Sequence, residues 1–424
     1  MPQQSVKMRR VFYIPGYDPY PPRRYRELYR VEAAKQGDIS GYEVDLENVK
    51  GRQDVWATTA YMDGAQVRSG FEVLEWHDIV QDTMDRSVLG TYAQLVQVAF
   101  AYLSSGALRR LSWLRIGPIL AGFYPVLMLL GQLVVAMVAG KISAAVVTGI
   151  LALIIGATLG LVVNDPTGGA VWGWIDWLMG WAVFAAVVVP LLHWFKAKDK
   201  NLFAYYLMHD LAYTAQMNGA YPDDLDDRIS QFARRIASAL ASPADEVVVV
   251  GHSSGAQLAV SAVARLVREG MLPANGPALS VLTLGQAIPM VSFLPKADVL
   301  RRDLHDLAGE DRITWVDVSA PGDGCSFALC DPVSVTGVAP EAQRWPLVLS
   351  AAYSKTLSPE RWAEMKRKFF RLHFQYLCAF DRPGDYDYFR ITAGPITLGE
   401  RFAGRKPSMK RIDVPASRFR SMAA

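Results

Sequence analysis

Cysteine is scarce in this chain of 424 residues: Cys325, Cys330 and Cys378 are the only three. Three unevenly placed thiols exclude a disulfide framework and fit a reducing compartment, with room only for a local Cys325–Cys330 pair. Histidine is scarce too, with six, and none stands at a metal-ligand spacing, so neither metal nor cofactor is expected. Charge of one sign is lacking as well. Lys+Arg number 44 against 41 Asp+Glu, a net +3 that is too small to suggest nucleic acid as a partner. The N-terminal MPQQSVKMRR is followed by no apolar core, since VFYIPGY is short and ends in a turn, so no secretory signal is read. No long tandem repeat is found. The length allows two or three domains and a large core.

What the chain has in abundance is uncharged sequence. Residues 116–139 contain no charge over 24 positions, enough to span a bilayer. After Gly140-Lys141 a second run covers 142–163. A third covers 177–195, near Trp172, Trp174 and Trp194, as expected at membrane interfaces. Three such runs in succession point to membrane insertion rather than to buried core helices.

Charge on the flanks bears on topology. Arg109, Arg110 and Arg115 precede the first run, and Lys196, Lys198 and Lys200 follow the last. Both flanks favour the cytoplasm, which requires an even number of crossings. Two crossings plus one interfacial segment are therefore expected. The third run, with Asp176 at its start and Pro190 within, is the weakest spanner. A fourth crossing at 89–103 would leave Arg109 and Arg110 outside.

The stretch 245–270, DEVVVVGHSSGAQLAVSAVARLVREG, organises the rest. Val247, Val248, Val249 and Val250 are β-branched and too few for a helix, so they predict a short strand buried on both faces. Ala256, Leu258, Ala259, Ala262, Val263, Leu266 and Val267 follow at helical spacing, closed by Gly270. Between them lies Gly251-His252-Ser253-Ser254-Gly255, a Gly-x-Ser-x-Gly pattern in a strand–turn–helix setting. The glycines permit a turn sharp enough to project the serine, and the helix start offers free N–H groups.

In these residues the chain resembles the α/β-hydrolase superfamily, lipase and esterase-like members in particular. The resemblance implies an α/β fold, with a mostly parallel central sheet flanked by helices, and a triad in the order serine, acid, histidine. Ser253 takes the place of the nucleophile. Asp323, in Gly322-Asp323-Gly324 after a strand at 313–318, matches the acid; Asp331 competes with it, and Asp317 lies inside the strand. His373 is the only histidine after the acid and takes the place of the general base. His252 reads as an elbow-packing residue, His77 as structural and His305 as exposed. For the oxyanion hole the resemblance implies a loop after an early strand, here 10–14. That loop is Pro15-Gly16-Tyr17, where a proline departs from the usual His-Gly; the Tyr17 and Ser254 amides are the expected donors.

Strands are also predicted at 42–46, 55–62, 71–76 and 279–284, and helices at 21–36, 202–218 and 223–240. Arg23, Arg24, Arg26 and Arg30 form a solvated face on the first helix. The basic stretch 401–424, with Pro407 and Pro415, reads as a disordered tail that anionic lipids could attract.

The expected organisation is a hydrolase domain split into 1–105 and 201–400 around a membrane-embedded helical insertion at 106–200, with the tail at 401–424. The expected function is a membrane-anchored serine hydrolase acting on a lipid or acyl ester through an acyl-enzyme. Its soluble part would face the cytoplasm of a bacterial inner membrane or its equivalent. An acyltransferase or thioesterase with the same triad, and a non-catalytic membrane scaffold, are the alternatives. Membrane lipids are the expected partners.

Overall fold

Eight strands make one sheet: β1 (Met8–Ile14), β2 (Glu43–Asn48), β3 (Val55–Met62), β4 (Ala65–Val73), β5 (Glu246–His252), β6 (Ala278–Leu284), β7 (Ile313–Ser319) and β8 (Leu347–Ser350). Their order across the sheet is β2-β3-β4-β1-β5-β6-β7-β8. The fold is α/β, and β3 alone runs against the others. This computed structural model describes residues 6–84, 87–158 and 166–423.

The chain divides into two units. The first comprises Met1–Asp85, Gln97–Ala121 and Tyr213–Ala424; the second comprises Arg86–Val96 and Gly122–Ala212. The boundary expected at 200 thus moves out to 212, while the one expected at 106 is not found: residues 97–121 belong to the first unit, and 86–96 and 122–212 to the second.

In the first unit β1 and β5 lie side by side at the centre, with Val11 opposite Val248 and Tyr13 opposite Val250. The four valines of β5 have no exposed surface, as a strand covered on both faces requires. After β1 the chain moves to one side of the sheet, and after β5 to the other. The loops at the C-terminal ends of β1 and β5 therefore flank a topological switch point, where open α/β sheets form their crevice. Asp63 and Gly64, both left-handed (φ 52° and 76°), join β3 to β4 in the tight turn their sequence predicts.

The helix Asp223–Leu240 starts with Asp223, Asp224 and Asp226 at its positive end and buries Leu225, Ile229, Phe232 and Ile236 along one face. The helix Gly255–Arg268 follows β5. Several sequence expectations change. β8 has only four residues and gives too short a pattern to be read, and β4 starts six residues earlier than expected. The helix expected over 202–218 breaks at Phe203 and again at Met217 and Asn218, all in left-handed backbone. His305 is half-buried, its Nδ1 lying 2.8 Å from the Val338 carbonyl.

The tail keeps most of its side chains exposed, as expected, but it is tied to the first unit at several backbone positions. The Ile412 amide donates to the Leu329 carbonyl and the Asp331 amide to the Ile412 carbonyl, each at 2.8 Å. The fully buried Arg301 donates from Nε to the Ser421 carbonyl at 2.6 Å. These bonds hold the tail at a few backbone positions despite its prolines and basic residues.

In the second unit the apolar runs form two helices, Ile116–Thr158 (whose first six residues belong to the first unit) and Pro166–Ala197. Both are long and apolar enough to cross a membrane, and only 6 % of the most apolar window of each is buried. That exposure separates them from core helices of a globular protein. The first and second runs are one continuous helix, so Gly140-Lys141 is not a break; residues 159–163, the end of the second run, lie outside the described residues. A side chain at Gly140 would come within 2.7 Å of Val188 and 2.8 Å of Phe184. The glycine thus lets the two helices approach closely, as small residues do in membranes. The third run, expected to be the non-spanning one, is as helical as the others despite Pro190. Val88–Ser104, a shorter apolar helix of 17 residues, belongs to the second unit only as far as Val96.

Candidate active site

Ser253 closes β5 in left-handed backbone (φ 57°), a conformation that costs a residue with a Cβ of the order of 1 kcal/mol and marks a strained turn. Its neighbours show why the pattern needs glycine. A side chain at Gly251 would meet the Gly255 carbonyl at 2.6 Å and Ala256 Cα at 2.7 Å; one at Gly255 would meet the Ile14 carbonyl at 2.2 Å. Ser254 precedes the helix Gly255–Arg268, and its amide has no hydrogen-bond partner among the described residues.

The loop after β1 presses against the serine. A side chain at Gly16 would lie 3.0 Å from Ser253 Cβ and 3.5 Å from Oγ. Two anchors hold this loop: Trp76 Nε1 donates to the Pro15 carbonyl at 2.9 Å, and the Tyr17 hydroxyl bonds Thr83 Oγ1 at 2.6 Å. The Tyr17 ring packs on Trp76 and Tyr213. Gly16 thus lies against the serine, and Tyr17 follows it on a loop held by these anchors.

Asp323 lies in the loop after β7 and is buried. Its Oδ2 accepts from His373 Nδ1 at 2.8 Å and from the Tyr376 hydroxyl at 2.9 Å, while Oδ1 accepts from the Cys325 amide at 2.9 Å. Burial raises its pKa, but His373 and these donors outweigh burial and hold the carboxyl below its ordinary value. The competing acids have other places. Asp331 caps the short helix Pro332–Thr336 through the Val333 and Ser334 amides and binds Gln343. Asp317 is fully buried in β7, where burial pushes it up to about 8; Thr283 donates to its Oδ1, and its Oδ2 has no partner.

His373 ends the helix Phe369–His373. Since a carboxylate only accepts, Nδ1 carries the proton and Nε2 is the free basic nitrogen. That nitrogen is buried and has no hydrogen-bond partner, so no Ser253–His373 bond is made in this structure. The end of β6 ties the two residues together. The Ser253 amide donates to the Leu284 carbonyl at 3.0 Å. The next residue, Gly285 (φ 53°), has room for no side chain: one there would meet Tyr376 at 2.5 Å and both Asp323 Oδ2 and His373 Cε1 at 3.2 Å.

His252 packs its ring 4.7 Å from that of His373 and donates from Nε2 to the His373 carbonyl at 3.0 Å. Burial first, and then His373, lower its pKa to about 3, so it stays neutral and packs against the His373 imidazole. Sequence reading missed Gly285 and Tyr376. Tyr376 follows His373 by three residues in a helical segment, which was the only signal for it.

Asp323, Cys325 and His373 offer three possible metal-ligand atoms within 4.8 Å of one another. Both Asp323 oxygens and His373 Nδ1 are, however, already engaged in hydrogen bonds, which suits an acid orienting an imidazole better than a metal ligand set. A cavity of about 430 Å³ lined by Arg344, Trp345, Phe402, Arg405 and Arg411 lies elsewhere; none of Ser253, Asp323 and His373 lines it. Comparison with protein-family models, with curated proteins and with solved structures finds no match to this chain.

Proposed function

We propose that this protein is a membrane-anchored serine hydrolase of α/β-hydrolase type that cleaves a lipid or acyl ester. The observation that carries the reading is the Asp323–His373 contact of 2.8 Å, which leaves a buried, unpaired Nε2, with the strained Ser253 next in the chain to His252, whose ring packs 4.7 Å from that of His373. Seven co-directed strands and a site at the switch point support it.

In this reading Ser253 Oγ attacks the ester carbonyl carbon while His373 Nε2 takes its proton. Asp323 holds the imidazole tautomer and stabilises the imidazolium. The Ser254 and Tyr17 amides stabilise the oxyanion. The tetrahedral adduct expels the alcohol, which receives the proton from His373. Water, deprotonated by His373, then attacks the acyl-enzyme and releases the acid. The missing Ser253–His373 bond closes when substrate binds, as catalytic hydrogen bonds commonly do. The two apolar helices cross the membrane in opposite directions, and the basic flanks keep the soluble part in the cytoplasm.

A second reading, a non-catalytic scaffold, is favoured by that same missing bond. Peptide mass spectrometry after mixing with an activated ester separates the two. A transient acyl group on Ser253 supports the hydrolase; a folded protein that never acylates overturns it.

A further inference from the structure

Immediately before His373 the chain reads Lys366-Arg367-Lys368-Phe369-Phe370-Arg371. All six side chains are exposed, Phe369 by 58 % and Phe370 by 38 %. The two phenylalanines place adjacent apolar surface among these cations. Glu364 pairs with Lys368 at 2.6 Å and with Arg371 at 3.6 Å; Lys366 and Arg367 have no ion pair among the described residues. The cluster thus combines excess positive charge with apolar bulk, the combination that enters the interface of an anionic bilayer.

We infer that 366–371 is a docking surface for an anionic lipid bilayer, set one turn from the catalytic histidine. Charge complementarity selects this occupant, and so does continuity with the apolar helix. A side chain at Gly324 would touch Phe369 at 3.1 Å, and one at Gly117 would lie 3.2 Å from Gly324 Cα. Phe369 and the first turn of Ile116–Thr158 therefore share one neighbour, the residue after Asp323. Ile116 (59 %) and Leu120 (61 %) are exposed there too. A second basic–aromatic group stands just upstream, where the Arg109 and Arg110 guanidinium groups lie over Trp113 at 5.5 and 5.6 Å. For the substrate, and resting on the hydrolase reading, this seats the bilayer interface at the mouth of the site. The ester attacked is then one at head-group depth in a lipid.

The test uses the full chain in nanodiscs of phosphatidylcholine, alone or with phosphatidylserine. Hydrogen exchange over 366–372 is expected to slow only in the anionic discs. The double variant Lys366→Gln/Arg367→Gln should lose that protection, since two interfacial cations together contribute roughly thirtyfold in anionic preference. It should also cleave a water-soluble short-chain ester as wild type does, while cleaving a disc-embedded ester poorly. Phe370→Ser should lose protection in the same way. Equal exchange in both discs, with the soluble ester still cleaved, overturns the docking surface and leaves the hydrolase standing. Protection in anionic discs with neither ester cleaved upholds the surface and overturns the hydrolase.

Discussion

Asp323 Oδ2 accepts two hydrogen bonds, from His373 Nδ1 at 2.8 Å and from the Tyr376 hydroxyl at 2.9 Å, and the first fixes which imidazole nitrogen can act as a base. An amide at 323 could present N–H where the carboxylate oxygen now accepts, favouring the wrong tautomer. Asp323→Asn is therefore expected to reduce ester turnover by about 10⁴-fold with little change in KM. Tyr376→Phe, which removes one donor only, should cost about tenfold. Equal effects of the two variants in steady-state assays would contradict this division of roles.

Gly285 shows how closely the end of β6 fits the site. It has positive φ, and a methyl there would overlap Tyr376 and crowd His373 and Asp323. Gly285→Ala should destabilise the first unit by roughly 2–4 kcal/mol and abolish reaction with fluorophosphonates. Chemical denaturation in detergent reads the first effect and probe labelling the second.

Asp317 gives the protein a distinct pH dependence. Its folded pKa is raised by burial from 3.8 to about 8, so between these values it is protonated when folded and ionised when unfolded. The folded state then holds the extra proton, and stability falls as pH rises through that window, at about 1.4 kcal/mol per pH unit at most. Asp317→Asn should flatten this slope and raise stability near pH 8, as thermal melts across pH would show. Asp323 acts in the opposite sense: its depressed pKa contributes stability that is lost only as pH falls through the acid range.

At Gly140 the two apolar helices approach closely. Gly140→Leu should separate them from Val188 and Phe184 and destabilise the pair by about 1–3 kcal/mol, leaving the first unit folded. Limited proteolysis in detergent, followed on peptides from each unit, would report this.

The sequence was legible where one residue type carried one physical demand. The four valines of β5 and the glycines around Ser253 led to a buried strand and a tight turn, and the chain order of Asp323 and His373 led to two residues in contact. Where two demands compete, local reading fails. Gly140-Lys141 reads as the gap between two uncharged runs, yet it lies inside one helix, where the glycine makes room for Val188 and Phe184. Asp331 and Asp323 both follow β7, and only three-dimensional contact distinguishes a helix cap from a partner of His373. The tail is solvated along most of its length, and its anchors to Leu329, Val335 and Arg301 were not legible because these partners are far away in sequence.

The most direct test of the central claim is labelling by a fluorophosphonate probe in native membranes, comparing wild type with Ser253→Ala and His373→Ala. Wild type should label at Ser253, and both variants should lose labelling while retaining wild-type melting behaviour. Labelling that survives in Ser253→Ala, or a folded wild type that never labels, would contradict the account.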